Sequence, residues 1–246
     1  VAEPSYSGNC IYHMTHFENL ISIFQSGALL SKQLSSSRHI IHRSIAMDEV
    51  QSLRDRIFVW DYATHSFKNL HSYVPFYFTV RSVMLYKKYR EGIQGDIVIF
   101  EIDDSILDEN GTVFTDGNAS TQKLSKSVAE VVEIMPAIFD KKCQRRYIRS
   151  DSRLHQIDES CSDFYASKVL LPKLDWTIIN GSDFSEPEKK RKTCAEILVP
   201  NVVPLEKIIG IAVNNQAMVW KINAFISKQS LERRVPLATL KSSLFF

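Results

Sequence analysis

The sequence predicts an α+β fold. Strand-like and helix-like stretches are intermixed without the regular strand-helix-strand rhythm of a doubly wound sheet. Apolar residues switch repeatedly between alternation and helical spacing. At 246 residues, with 44% hydrophobic and 24% charged content, one large domain or two small ones would both be ordinary. No internal repeat and no linker divides the chain, so we read residues 1–246 as a single domain.

The elements follow in order. Ile11 to Thr15 reads as a short strand. Phe17, Leu20, Ile21 and Phe24 recur at helical spacing, and Gly27 supplies a stop. Ser31 to Ser44, rich in Ser, His and Arg, reads as a loop. Ala46 to Arg56 reads as a helix. Val74 to Thr79 and Ile97 to Ile102 are dominated by β-branched and aromatic residues and read as strands. Asp116-Gly117-Asn118 marks a turn. Ser127 to Phe139 has helical periodicity, which Pro136 must kink or end. Asp140 to Ser162 is polar and charged, suiting a mobile loop or an exposed helix. Glu188 to Cys194 reads as helix or loop. Glu196 to Val199 and Ile208 to Val213 read as strands, Ala217 to Ser227 as an amphipathic helix, and Val235 to Leu240 as a last strand.

Composition excludes several classes. No apolar run reaches the roughly 18 to 20 residues of a membrane span. Val1 to Ser7 has neither a basic start nor an apolar core, so no secretory signal is visible there. Cys10, Cys143, Cys161 and Cys194 lack C-x-x-C spacing and read as free thiols of a reducing, cytoplasmic setting. His13/His16 and His39/His42 have i,i+3 spacing, but no Cys or carboxylate cluster completes a metal site. A net charge of +2 does not announce nucleic acid. The distribution says more: Lys141, Lys142, Arg145, Arg146, Arg149 and Arg153 form one basic stretch, and Lys189 to Lys192 another. Such runs are usually solvated surface, and a polyanion is the alternative.

Some residues can carry chemistry. Glu196 heads the apolar run Ile197-Leu198-Val199. It is either a strand-end surface residue or a carboxylate fixed on a rigid strand, able to stabilise positive charge at a breaking glycosidic bond. His13 and Thr15 alternate on a strand and share a face. They are a core histidine beside a β-former, or a pair that hydrogen-bonds a ribose and an amide. Tyr73, Phe76, Tyr77, Phe78 and Tyr86 form an aromatic cluster that packs in a core by default, although Tyr77 could stack on a ring. Arg81 beside Met84 suits a phosphate and an unstacked base. Arg54 and Arg56 are surface cations or an anion clamp, and spacing does not choose between them.

Ordered blocks of the chain resemble the DarT family of DNA ADP-ribosyltransferase toxins. They are Ile11-Tyr12-His13-Met14-Thr15-His16; Gly27-Ala28-Leu29-Leu30; Arg43-Ser44-Ile45-Ala46 with Val50-Gln51-Ser52-Leu53-Arg54; Tyr73-Val74-Pro75-Phe76-Tyr77-Phe78; Arg81-Ser82-Val83-Met84-Leu85-Tyr86; Val113-Phe114-Thr115-Asp116; Leu174-Asp175-Trp176; and Ala195-Glu196-Ile197-Leu198-Val199. The Tyr-Val-Pro-Phe-Tyr-Phe block is the most specific.

The resemblance implies an ADP-ribosyltransferase fold, a split, mixed sheet with flanking helices and an NAD cleft between its halves. It implies NAD as co-substrate, no metal, and transfer of ADP-ribose to a base of single-stranded DNA, thymine first, with guanine or RNA as alternatives. Glu196 falls on the family's catalytic Glu and Arg54 on its catalytic Arg, with Arg56 the other candidate. His13, Thr15, Asn19, Leu30 and Tyr77 would hold NAD. Arg81, Met84 and Lys190 would meet nucleic acid. A macrodomain antitoxin would be the protein partner. The stretch 117–173 is longer than the family pattern leads one to expect, and it would lie on the acceptor side.

Overall fold

A computed structural model describes Tyr6, Gly8 and residues 10–61, 64–121, 147–150, 153–156 and 162–246. The expected helix at Ser127 to Phe139, and Lys141, Lys142, Arg145 and Arg146, lie outside the described residues.

The chain opens with β1 (Cys10–His16), then a 3-10 turn and α1 (Leu20–Ser26), stopped by Gly27 at φ 68°. Only a residue without a Cβ reaches that left-handed conformation freely, as the sequence suggested. β2 (Ala28–Leu30) follows. The stretch expected to be a loop then begins with a helix, α2 (Lys32–Ser37). The Ser31 hydroxyl caps it, accepting from the Leu34 amide at 3.2 Å. Its serines are indifferent helix formers, and the cap together with burial of Ser35 overrides them. α3 (Asp48–Arg54), β3 (Ile57–Asp61), β4 (Ser66–Asn69) and β5 (Tyr73–Tyr77) come next.

α4 (Val83–Arg90), capped by Ser82, leads to β6 (Ile97–Asp103) and β7 (Val113–Thr115). Part of the polar stretch expected to be a loop or helix is instead a hairpin. β8 (Tyr147–Ser150) and β9 (Arg153–Gln156) pair antiparallel. The charged residues here give neither clean alternation nor a glycine turn, so these strands carried no sequence signal. The remainder is β10 (Phe164–Tyr165), α5 (Trp176–Ile179), α6 (Pro187–Lys192), β11 (Glu196–Pro200), β12 (Val202–Pro204), β13 (Ile208–Val213), α7 (Gln216–Lys228) and β14 (Ala238–Leu240).

Among the described residues the strands form an eight-stranded sheet, β10-β7-β11-β5-β1-β6-β13-β14, a pair β12-β2 and a four-stranded sheet β4-β3-β8-β9. The large sheet is mixed, because β13 and β14 run parallel and the other pairs antiparallel. β6 is apolar on both faces. Val98, Phe100 and Ile102 join the core with Leu20, Phe24, Ile222 and Ile226, and Ile97 and Ile99 join Leu85 and Met14 on the other. Burying each such side chain contributes about 1.5–3 kcal/mol, so this strand anchors both layers.

The sheet is also split. β1 matches β6 along seven residues but meets β5 only at Tyr12 and Tyr77. Pro75 lies within β5 and has no N–H to donate to a ladder. The carbonyl of Pro75 is taken instead by a side chain of β1, Nδ1 of His13, at 2.9 Å. A cleft opens where the ladder fails.

Candidate active site

Two adjoining cavities, of about 190 and 180 Å³, occupy this cleft and share walls that include His13, Met14, Gln51, Arg54 and Pro75. The first extends over Thr15, Asn19, Leu30, Lys32 and His71, and the second over Tyr77, Met84, Asn118, Cys194 and Glu196.

β11 carries Glu196 into the second cavity, directly opposite Tyr77 in the ladder. The carboxylate is 1% exposed. Its Oε2 accepts from the Arg54 guanidinium at 2.8 Å, and its Oε1 from the Ala119 amide at 3.1 Å. The backbone amide of Glu196 donates to the Thr115 hydroxyl at 3.0 Å. Arg54 ends α3 and is buried as well. Burial works against its charge, but the adjacent carboxylate more than compensates, and its pKa is raised. Arg56 is exposed, so geometry distinguishes the two arginines that spacing left equal. Burial first, and then Glu196, push the Tyr77 phenol well above its ordinary range, so it stays protonated.

On the opposite wall His13 donates from Nδ1 to Pro75, which leaves Nε2 as the acceptor. Burial lowers its pKa, and the ring is neutral at pH 7. The Thr15 hydroxyl accepts from Asn19 Nδ2 at 3.0 Å. Asn19 also bonds both ways with the Arg43 backbone, at 2.9 and 2.7 Å, and so pins the Ile40–Ala46 stretch over the first cavity. Leu30, at the end of β2, lines that cavity.

The three expected nucleic-acid residues have different surroundings. Met84 lines the second cavity. Arg81 donates to the carbonyls of Ser243 and Phe245, at 3.1 and 3.0 Å, and lies over the Phe246 ring. In the second basic run Lys189 pairs with Asp183, Arg191 with Asp116 and Lys192 with Asp175. Lys190 is exposed and, among the described residues, forms no ion pair. The aromatic cluster divides: Tyr73, Phe76 and Phe78 are core, Tyr86 is on the surface, and Tyr77 faces the cleft.

Sequence reasoning missed Thr115, Asn118 and Ala119 around Glu196, and Lys32 and His71 in the first cavity. Thr115 stood in a matching block, but backbone donors such as the Ala119 amide leave no trace in residue types. Among the described residues no group of three or more His, Cys, Asp or Glu gathers as a metal site, Cys10 and Cys194 are free thiols, and no helix is long and apolar enough to cross a membrane.

The family model described as "ssDNA thymidine ADP-ribosyltransferase, DarT" matches residues 12–154 and 143–246. The chain belongs to the DarT family. It is 29% identical over 238 residues to a DNA ADP-ribosyl transferase of Thermus sp. strain 2.9, covering 96% of this chain and 95% of the relative. Two solved structures of Thermus sp. 2.9 DarT superpose over the full length of both chains. The complex with ADP-ribosylated single-stranded DNA has 27% identity and a TM-score of 0.75, and the complex with NAD+ 26% identity and 0.71. Family membership makes the chain an NAD-dependent ADP-ribosyltransferase, and the split mixed sheet is the expected fold.

Proposed function

We propose that this protein transfers ADP-ribose from NAD to the thymine base of single-stranded DNA, with Glu196 and Arg54 as its catalytic pair. The observation that carries this reading is the buried Glu196–Arg54 ion pair in the wall of a cleft whose other wall is neutral and polar. Two charges are costly to bury, and a module that only bound nucleic acid would gain nothing from keeping them beside a cavity.

NAD supplies the ADP-ribosyl group. The bond between its ribose carbon and nicotinamide breaks, a bond from that carbon to the base forms, and the base gives up a proton. Glu196 faces the positive charge that grows at the ribose carbon and stabilises it, in a dry site where such a group counts most. The carboxylate is also the base within reach of the acceptor proton. Arg54 pairs with Glu196 and orients it. His13 accepts from the ligand through Nε2, Thr15 and Asn19 hold the first cavity in shape for it, Leu30 packs against it, and Tyr77 stacks on the nicotinamide ring. Arg81, Met84 and Lys190 lie on the acceptor side and meet the strand.

The same reading makes the protein a cytoplasmic toxin, opposed by a macrodomain antitoxin that removes the modification. Incubation with labelled NAD and, separately, single-stranded DNA, duplex DNA, RNA and protein tests it. Label should enter single-stranded DNA at thymine, and duplex should be modified far more slowly, because a stacked, paired base is out of reach. Equal labelling of duplex, or label only in RNA or protein, would overturn the acceptor assignment.

A further inference from the structure

Arg191 stood in a basic run that suggested a surface for polyanions, yet its guanidinium points inward. All five N–H donors are used. Nε donates to Glu188 at 2.9 Å, Nη1 to Asp116 at 2.9 Å and Ser162 at 2.7 Å, and Nη2 to Asp116 at 3.2 Å and Glu188 at 2.7 Å. The Arg191 carbonyl accepts from the Asn118 amide at 2.9 Å.

Apart from Glu188, three residues earlier on α6, the groups it gathers come from two distant stretches. Asp116 and Asn118 follow β7, and Ser162 and Asp163 precede β10. They also bond one another: Ser162 Oγ donates to the Asn118 carbonyl at 2.9 Å, and the Asp163 amide to Asp116 at 2.7 Å. The next residue along, Ala119, gives its amide to Glu196 Oε1. At Gly117 a Cβ would stand 2.5 Å from Arg191 Nη1 and 2.8 Å from Ser162 Oγ, so the turn closes directly onto the guanidinium.

We propose that Arg191 is a positioning residue: it clasps the Asp116–Ala119 turn so that the Ala119 amide fixes the Glu196 carboxylate. A carboxylate held only by Arg54 could rotate about its last torsion, and the second hold on Oε1 removes that freedom. Misplacing a reacting group by about 1 Å can cost on the order of 100-fold in rate. This inference rests on the transferase reading of Glu196.

The test compares Arg191→Ala and Arg191→Lys in two backgrounds, native and Glu196→Gln, using single-turnover transfer to single-stranded DNA. If the clasp acts through Glu196, Arg191→Ala loses roughly 10- to 100-fold in turnover with unchanged NAD and DNA affinity. Arg191→Lys, a point charge without the planar fork, recovers part of the loss. In the Glu196→Gln background the same change costs nothing further. An equal loss in both backgrounds, no loss in a folded Arg191→Ala protein, or a loss that tracks weaker, less salt-dependent DNA binding would overturn it. Should Arg191→Ala fail to fold, Gly117→Ala displaces the same turn without removing the charge, and the same outcomes apply. Hydrogen exchange at the Ala119 amide separates this inference from the function. If the native protein transfers nothing, the function fails, while faster Ala119 exchange in Arg191→Ala still reports the clasp.

Discussion

The two walls of the cleft are built on different principles. The wall formed by β5, β11 and the end of α3 carries a buried ion pair, Glu196 with Arg54. The wall formed by β1 carries neutral groups: a His13 held uncharged by burial, the Thr15 hydroxyl and the Asn19 amide. Fixed charge in a dry site stabilises charge that appears only in the transition state. Neutral hydrogen-bonding groups recognise ground state and transition state alike. The difference therefore divides turnover from binding, and substitutions on the two walls should separate the two quantities.

The largest effect is expected from Arg54→Ala. It leaves the Glu196 carboxylate buried without its partner, which typically costs about 3–5 kcal/mol of stability. Urea denaturation should show that loss together with loss of transfer, while the exposed Arg56 tolerates the same change. A stable, active Arg54→Ala protein would remove the charged wall from the comparison.

Glu196→Gln sharpens it. The amide keeps an acceptor for Arg54 but lacks the charge, so transfer should fall about 100- to 1000-fold while calorimetric NAD affinity stays the same. The converse pattern belongs to the other wall. His13→Ala should weaken NAD binding by about 1–3 kcal/mol, because a ligand polar group is left unpaired, and Thr15→Ala should weaken it too, because Asn19 loses its acceptor in the cavity wall, with turnover at saturating NAD largely retained in both. If these variants lost turnover and kept affinity, the division between the walls would be wrong.

The smallest effect is in pH. Burial comes first in lowering the pKa of His13, His16 and His71 below the ordinary value of 6.5. The unfolded chain therefore binds more protons than the folded one as pH falls below about 6.5, and stability declines in that direction. Melting temperature should be level above pH 7 and drop between pH 6.5 and 5, less steeply in a His71→Gln variant. A melting temperature flat to pH 5 would contradict neutral, buried imidazoles.

Much of this was legible in the sequence, for identifiable reasons. Ile208–Val213 and the Glu196 strand were readable because short apolar runs rich in Ile and Val, bounded by polar residues, leave little choice. α7 was readable from its apolar stripe. Short elements such as β2, β12 and α2 were not, since three to six residues hold no period and depend on tertiary partners. In the site, type and spacing made Glu196, His13 and Thr15 candidates but left a plain structural reading open for each, and only the resemblance to the family gave them roles. The choice of Arg54 over Arg56, and the Ala119 contact, needed coordinates, because they depend on which turn of chain folds over which strand. The basic run at Lys189–Lys192 left both a solvated surface and a polyanion site open. A cluster of cations can read as a surface for polyanions until Asp116, Asp175 and Asp183 are seen beside it.

The clasp at Arg191 has one more consequence. By holding the chain after β7 against the chain before β10, it makes everything between them a closed loop whose ends meet at a fixed point. Lengthening such a loop is cheap: each doubling costs only about 0.6 kcal/mol of closure entropy. Insertions after Thr121 therefore cost little in closure, provided that Ala119 keeps its bond to Glu196 and β8 its pairing with β3. A fold arranged in this way can hold its chemistry constant while the part of the chain beside it is free to diversify.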